Sequence, residues 1–477
     1  MQRQSALLLL LSGLALGACG SGSPDTRDGS TSPPPTVPPP VQTPGYKVSV
    51  AVSPQPDYSN RYVDRANIID GLRMVPSGVV FVTGMDGRRR TIIFPSLFFQ
   101  DPQLPAFELL QNDQQTYELT RFLPVTMGTS RAWAAIDPSA SSKKQYVVVD
   151  HGPEYPSGYE TWPFGHVWTL TDSGNGFEAK QVSTVPGFYH SVTVLDVDRD
   201  GREDIVASNM GVKAGGIRRS IHLFRQQSNG DFVQDADFMP AINFDGTGAV
   251  GNGDLDGDGT AEIVQANYLS DGGPNDWGGL RIWRRSSGAQ YVPAVTLPRD
   301  GLFQLMGATQ LVTVDYDADG DLDLLVSLEG QTPDDQSQRY TGHGVELYRN
   351  DGSLRFTRVT GAVFSPNYWS SRRMSYRELA ITDFNLDGRP DIFLQLNGGL
   401  LDFDGTINLG QAILINAGGT RYTALDGNAQ LKVSLPLGNA SRGPLYLRYI
   451  SNAGDTNHLF GMLADGRPFT ITVRYSL

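Results

Sequence analysis

One acidic pattern occurs four times along this chain and does most to limit how the chain can fold. Its clearest copy is "GDLDGDGTAEIV" at residues 253–264, and the common form is D-x-[DN]-x-D-G-x-x-[DE] followed by apolar residues. The copies begin at Asp196, Asp254, Asp315 and Asp383, so successive first aspartates lie 58, 61 and 68 residues apart. Like charges this close repel one another, which favours a bound cation. A regular period of this length is typical of a repeat architecture, in which each repeat is one supersecondary unit.

The first half of each copy matches the loop of an EF-hand, but the second half does not. An EF-hand needs a bidentate glutamate at position twelve, between two helices. Position twelve here holds Ala207, Gln265, Val326 and Leu394, and the acid stands at position nine instead. The flanks of the first copy, "SVTVLD" and "DIVAS", are β-branched runs around a glycine turn. Such runs predict an antiparallel hairpin, so we expect each acidic loop to join two strands.

A second pattern repeats in step with the first. After each acidic loop come a strand, a turn that contains glycine, and a strand with an aromatic residue, as in "LRIWRRSSGAQYV". The aromatic residues are Phe232, Tyr291, Phe356 and Tyr422. Each unit therefore has four strands, and four-stranded units of this length are typical of propeller blades.

Further segments extend the repeat to a ring of about seven blades. "HVWTLTDSGNGFEAK" keeps the last two strands of a unit whose loop retains Asp137 but has Lys143 and Lys144 in place of carboxylates. The C-terminal segment offers only three strands, and "YKVSVAVS" is a lone strand near the N-terminus. Because a closed ring has no exposed edges, we expect residues 46–53 to supply the missing strand. The sequence predicts an all-β, seven-bladed β-propeller over residues 46–477, with the N-terminal strand closing the last blade.

The four acidic loops resemble the FG-GAP/VCBS calcium-binding repeats of integrin α-subunit propellers and of many bacterial surface proteins, most clearly over residues 187–425. The resemblance implies Ca²⁺ at about four sites, held by side chains at loop positions one, three, five and nine and by the carbonyl at position seven. The implied ligands are Asp196, Asp198, Asp200, Arg202 and Asp204; Asp254, Asp256, Asp258, Thr260 and Glu262; Asp315, Asp317, Asp319, Asp321 and Asp323; and Asp383, Asn385, Asp387, Arg389 and Asp391. Asn385 is neutral, so we expect the fourth site to release calcium first.

Residues 1–18 are predicted to be a signal peptide. The segment "MQRQSALLLLLSGLALGAC" has Arg3, an apolar stretch too short for a membrane span, and then small residues. Its end, "LGAC", resembles a bacterial lipobox, which implies acylation of Cys19, the only cysteine. An ordinary signal peptide with a chance cysteine is the alternative. With Gly20 after the cysteine, the resemblance implies the outer membrane of a Gram-negative bacterium.

Residues 19–45 are predicted to be a disordered tether between the lipidated cysteine and the propeller. They are rich in serine, glycine and proline and show no apolar periodicity. Such a composition cannot bury a core, and its proline runs favour an extended backbone.

Charge and motifs limit the possible functions. The formal net charge is −13, and an acidic chain without a Lys/Arg patch is a poor nucleic-acid binder. The sequence contains no H-E-x-x-H, G-x-S-x-G or P-loop motif, so catalysis is the less favoured interpretation and we assign no catalytic residue.

The long loops between second and third strands are predicted to lie on the face opposite the acidic loops. They hold the ligand-binding candidates Tyr155, Tyr159, Trp162, Tyr268, Trp277 and Tyr340. Exposed aromatic residues suit the recognition of glycans or proteins, and packing of the loops against one another is the alternative.

These features together predict a calcium-binding, lipid-anchored propeller that recognises an extracellular glycan or protein, as in adhesion, and contacts the membrane only through its anchor. Two alternatives stay open: a carbohydrate lyase or hydrolase on the same scaffold, and a structural subunit of an envelope assembly. Glycan binding without turnover favours the first interpretation, product release favours the second, and co-purification with fixed envelope partners favours the third.

Overall fold

A computed structural model describes most of the chain. The described residues are 47–54, 75–96, 105–112, 117–127, 130–137, 143–152, 164–210, 220–239, 246–268, 279–287, 290–298, 300, 306–331, 340–359, 376–397, 406–418, 422–425, 429–435, 444–463 and 468–476. All of them belong to one compact unit, Pro44–Leu477. The predicted signal peptide and tether lie outside the described residues. Within those residues, no helix is long and apolar enough to cross a bilayer.

The chain enters the fold with β1 (Lys47–Pro54) and then forms blades of four antiparallel strands. Blade 1 contains β2 (Val75–Thr83), β3 (Arg89–Ser96), β4 (Pro105–Gln111) and β5 (Tyr117–Thr126). Blade 2 contains β6 (Ser130–Ile136), β7 (Gln145–Asp150), β8 (Val167–Asp172) and β9 (Phe177–Gln181). Blade 3 contains β10 (Tyr189–Leu195), β11 (Asp204–Asn209), β12 (Ile221–Gln226) and β13 (Phe232–Asp235). Blade 4 contains β14 (Thr247–Gly253), β15 (Glu262–Asn267), β16 (Leu280–Arg285) and β17 (Tyr291–Leu297).

The remaining strands form blades 5 to 7 and one small ribbon. Blade 5 contains β18 (Met306–Val314), β19 (Asp323–Gln331), β20 (Tyr340–Asn350) and β21 (Phe356–Arg358). Blade 6 contains β22 (Tyr376–Thr382), β23 (Asp391–Asn397), β25 (Ile413–Asn416) and β26 (Tyr422–Ala424). The ribbon pairs β24 (Thr406–Asn408) with β27 (Lys432–Ser434), beside short 3₁₀ helices at Leu409–Gln411 and Ala429–Leu431. Blade 7 contains β28 (Pro444–Ala453), β29 (Thr456–Leu463), β30 (Pro468–Ser476) and, as its outermost strand, β1.

The innermost strands close a ring. β6 lies between β2 and β10, and β14 lies between β10 and β18. β18 contacts β22, and β28 contacts β2. Between blades 6 and 7 the contact is a hydrogen-bonded one, because β23, the second strand of blade 6, pairs with β28 and makes these two blades one eight-stranded sheet. The predicted seven-bladed propeller is therefore confirmed.

Ring closure by the N-terminal strand is also confirmed. β1 pairs antiparallel with β30 from Lys47 opposite Ser476 to Pro54 opposite Phe469, one residue beyond the predicted end of the strand. The first and last strands of the propeller thus belong to one blade, which leaves no open seam in the ring.

The hydrophobic core lies between the facing surfaces of neighbouring blades. One cluster joins Val80 and Ile92 of blade 1 to Tyr146 and Phe177 of blade 2, and corresponding clusters follow around the ring. Because second strands are covered on both faces, they carry continuous apolar runs, such as the fully buried valines at 147–149.

Candidate metal centres

The four acidic loops join the first and second strands of blades 3 to 6 and share one backbone conformation. Position four is left-handed in every copy, with φ of 65° at Arg199, 73° at Gly257, 62° at Ala318 and 63° at Leu386. The glycines at position six have φ between 81° and 96°, a region that only glycine enters at little cost. This requirement explains the glycine at position six of the motif. The shared φ values show that the four loops are structurally equivalent.

The aspartate at position one closes each loop. Asp196 accepts hydrogen bonds from the backbone N–H groups of Asp200 at 3.0 Å and Gly201 at 2.8 Å. Corresponding bonds reach Asp315 and Asp383 in the third and fourth loops. In the second loop Asp254 Oδ2 accepts the N–H of Gly259 at 2.9 Å, while Asp254 Oδ1 has no hydrogen-bond partner.

The acid at position nine is buried in every copy, and these acids are Asp204, Glu262, Asp323 and Asp391. Each accepts the backbone N–H of the apolar residue at position two, as Asp323 does from Tyr316 at 3.0 Å. Asp204, Asp323 and Asp391 also accept an N–H from the end of the third strand of their own blade, at 2.7 to 2.8 Å. In blades 3, 5 and 6 the ninth acid therefore ties its loop to the third strand.

Positions one, three and nine converge in the first three loops. The clusters are Asp196, Asp198 and Asp204; Asp254, Asp256 and Glu262; and Asp315, Asp317 and Asp323. In each cluster one carboxylate oxygen per residue lies within 4.8 Å of the others. Ca²⁺–oxygen distances are about 2.3–2.6 Å, so one ion could contact all three oxygens.

Glu262 has the most unusual environment of these acids. It is 0 % exposed, and its Oε2 accepts the N–H of Leu255 at 2.8 Å. Its Oε1 is buried without a hydrogen-bond partner. A buried carboxylate oxygen that lacks a partner is costly, which favours a cation at this position.

The aspartates at position five have other partners than the acids of the clusters. The aspartates at position five stay outside the three clusters and instead accept the backbone N–H of position seven, as Asp258 does from Thr260 at 2.8 Å. Among the described residues of the fourth loop, no acid triad forms, because Asn385 stands at position three and donates to Asp387 at 3.1 Å.

Arginines from the third strands approach the carboxylates at position three. Arg225 contacts Asp198 at 2.7 Å, and Arg284 contacts Asp256 in the equivalent place. The strand register puts Arg349 and Ile415 at the matching points of blades 5 and 6. The loop with a neutral Asn385 thus has no arginine at this point of its third strand, where Ile415 stands instead. At positions one, three, five and nine, the first three loops each carry one more negative charge than the fourth, because an aspartate stands at position three. The arginines of the third strands offset part of that extra charge.

The ninth acids hold their protons unusually well when no ion is bound. Burial, with a smaller contribution from neighbouring carboxylates, raises the pKa of Asp204 to about 6 and the pKa of Glu262 to about 7. Burial raises the pKa values of Asp323 and Asp391 to about 7 as well. Since a metal ligand must be ionised, calcium and protons should compete at these acids.

Calcium should therefore stabilise the fold more at pH 8 than at pH 5.5. Because these pKa values are raised, the calcium-free fold binds more protons than the unfolded chain. The stability that the protonated acids contribute to the calcium-free fold is therefore lost as pH rises through 6 to 7. Melting curves of dialysed apoprotein and of the calcium-loaded protein at both pH values measure the difference. A Glu262→Gln variant should lose part of this pH dependence, and an equal calcium effect at both pH values would contradict the prediction.

Of the predicted ligand-binding aromatics, Tyr268 is the one whose side chain lies within the described part of the structure. Tyr155, Tyr159, Trp162 and Trp277 lie outside the described residues. Tyr340 begins β20, but its side chain is outside the described part of the structure. The ring of Tyr268 packs edge-on against His190, with ring centroids 5.7 Å apart, beside the stacked rings of Phe188 and His151. For Tyr268 this contact favours loop packing.

The innermost strands surround a cavity of about 330 Å³ with lining residues from all seven blades. Its described charged residues are Arg131, Glu378 and Arg448. Arg448 Nη2 lies 3.1 Å from Glu378 Oε1, and Gln395 donates to Glu378 Oε2 at 3.4 Å. Arg131 and Glu378 lie near the start of their strands, at the end of the cavity that faces the long loops. This group was not predicted, because its members come from separate blades.

Comparisons with known proteins give no family. No protein-family model and no curated protein sequence matches the chain. Among solved structures, the chain is similar to the N-terminal domain of Nup159, with 9% identity, a TM-score of 0.45, and 90% of this chain and 96% of that chain covered. It is also similar to a protein of unknown function from Dyadobacter fermentans, with 9% identity, a TM-score of 0.42, and 91% and 100% covered. Likenesses this low carry no argument about family or function.

Proposed function

We propose that this chain is a calcium-binding, surface-anchored propeller lipoprotein that recognises an extracellular glycan or protein. The observation that carries the calcium assignment is the buried Glu262 oxygen without a hydrogen-bond partner, in a cluster with Asp254 and Asp256. Carboxylate-rich, all-oxygen ligand sets suit Ca²⁺ better than Zn²⁺ or copper. The ions would hold hairpins in place and perform no chemistry.

The competing explanation is that the loops are acidic turns neutralised by arginine. Arg225 and Arg284 give this explanation a physical basis in the first two loops. Equilibrium dialysis of the purified protein against calcium distinguishes the two. Three to four bound ions support the proposal, and no bound calcium at millimolar concentration supports arginine-neutralised turns.

The proposed recognition of a glycan or protein is supported by the charged residues of the central cavity, at the end that faces the long loops. Arg131, Glu378 and Arg448 place charged groups on a cavity wall that also carries polar and aromatic side chains, and converging polar groups fix the orientation of a ligand in such sites. A glycan array, followed by incubation of any bound polysaccharide, tests this part. Binding without product favours recognition, product release favours a lyase or hydrolase, and fixed co-purifying partners favour an envelope assembly.

The anchor gives a prediction of its own. Cys19→Ser should move the protein from the membrane fraction to the soluble fraction, because acylation supplies the apolar chains that plain secretion lacks. Fractionation followed by immunoblotting measures the change. A variant that lacks residues 25–40 but keeps Cys19 should stay with the membranes, and a Cys19→Ser protein that also stays there would contradict the lipoprotein assignment.

A further inference from the structure

Three buried asparagines link the acidic loops of successive blades. Asn350 and Asn416 end the third strands of blades 5 and 6, and Asn457 lies near the start of β29 in blade 7. Each is at most 1 % exposed. Each side chain donates from Nδ2 to the backbone carbonyl at position two of the acidic loop in the preceding blade.

The acceptors of these bonds are Leu255, Tyr316 and Phe384, at 2.7, 2.7 and 3.0 Å respectively. The amide orientation is fixed from the other side, because Asn350 Oδ1 and Asn416 Oδ1 accept the N–H groups of Gly352 and Gly418. In these two residues Nδ2 is therefore the atom that reaches the neighbouring blade, and Asn350 Nδ2 also donates to Leu322 of its own blade at 3.2 Å.

The same position-two residues that accept these bonds through their carbonyls also hold the ninth acids through their N–H groups. Leu255 N–H donates to Glu262, Tyr316 N–H donates to Asp323, and Phe384 N–H donates to Asp391. The backbone N–H of Asn350 donates to Asp323, and that of Asn416 donates to Asp391, both at 2.7 Å. A continuous hydrogen-bonded path thus runs from the second loop through the third and fourth loops to blade 7.

The first loop lies outside this path. The third strand of its blade ends in Gln226, whose side chain donates to Gln145 of blade 2. The corresponding loop of blade 2 has Lys143 and Lys144 in place of carboxylates. The path also stops at Glu262, because Glu262 Oε1 receives no N–H.

The first loop instead meets blade 4 through arginines, because Arg285 donates to the carbonyl of Asp198 at 3.2 Å and Arg199 donates to Thr260 Oγ1. Among the described residues, buried asparagines therefore join the second, third and fourth loops, whereas arginines join the first loop to blade 4.

We propose that Asn350, Asn416 and Asn457 couple the second, third and fourth calcium sites to one another and to the blade that closes the ring. The proposal rests on calcium binding at these loops. An ion at one loop fixes its ninth acid and its position-two peptide, which holds the next asparagine in place. The next site then binds with less ordering cost, which gives positive cooperativity.

Loss of one linked site measures the coupling. Calorimetric calcium titrations of the full chain should show that Asp317→Ala removes one site and weakens the remaining linked sites by about fivefold, the lower end of typical coupling. Asp198→Ala, the matched change in the first loop, should remove one site and leave the affinity of the fourth site unchanged, because the asparagine path does not include the first loop. Equal effects of the two variants on the fourth site would overturn the proposal.

Asn416→Ala should retain every site but abolish the effect of Asp317→Ala on the fourth site, as a double-mutant cycle shows. Asn209→Ala, which removes an asparagine bond to Phe188 at the opposite end of blade 3, should leave that effect intact. If Asn416→Ala does not fold, Asn416→Asp keeps the acceptor and the size while removing the donor. A coupling that survives loss of the Asn416 donor overturns the proposal. Full but independent calcium binding defeats the coupling alone, and absence of calcium binding defeats the proposed function as well.

Discussion

Removing calcium is expected to lower the melting temperature of this protein by an amount on the order of 10 °C. An ion that binds only the folded state stabilises it by about 2.7 kcal/mol per site at a hundredfold excess over Kd. Three occupied clusters then contribute roughly 8 kcal/mol, which the unfolding entropy of a domain this long converts to a shift of that order. The measurement is a melting curve in calcium and in EGTA at pH 8.

Single-site variants show whether the shift comes from the loops. Asp317→Ala should lower the melting temperature in calcium and change it little in EGTA, because its carboxylate acts through the ion. Asp231→Ala removes an acid that pairs with Lys180 and belongs to none of the acidic loops, so its effect should be the same in both conditions. Identical melting of the wild-type protein with and without calcium would exclude a stabilising metal.

Deleting residues 46–53 is expected to cause aggregation or a fall in melting temperature on the order of 10 °C or more. The deletion removes β1 and exposes the ladder edge of β30 along its whole length. It also removes Val48, which is buried in a core cluster with Ile471 and Val473. Thermal melting and size-exclusion chromatography measure both effects.

Two comparisons make this result specific to ring closure. Deleting residues 21–40 should leave the melting temperature unchanged, because that segment precedes the propeller. Val48→Asp should reproduce part of the loss without shortening the chain, since it places a carboxylate in the core cluster. If both deletions melt like the wild-type protein, β1 does not hold the ring closed.

The sequence by itself determined the repeat, the blade pattern and the strand that closes the ring. Alternating and continuous apolar runs, turn glycines and the spacing of the first aspartates are local features, and local backbone preferences translate them directly into hairpins. The position-six glycines are an example, because their left-handed φ follows from the turn alone. The sequence also shows an apolar or aromatic residue at position two of each acidic loop, although its role was not predicted.

Only the tertiary structure decided which groups meet between blades. The Asn350, Asn416 and Asn457 bonds join residues 95, 100 and 73 positions apart in the chain. A weak signal for two of them existed, since "YRNDG" and "LINAGG" each end a strand with asparagine before a glycine turn. The approach of Arg225 and Arg284 to position three likewise depends on strand register. Such contacts depend on how neighbouring blades pack and align. No local sequence pattern encodes which distant residues then come into contact.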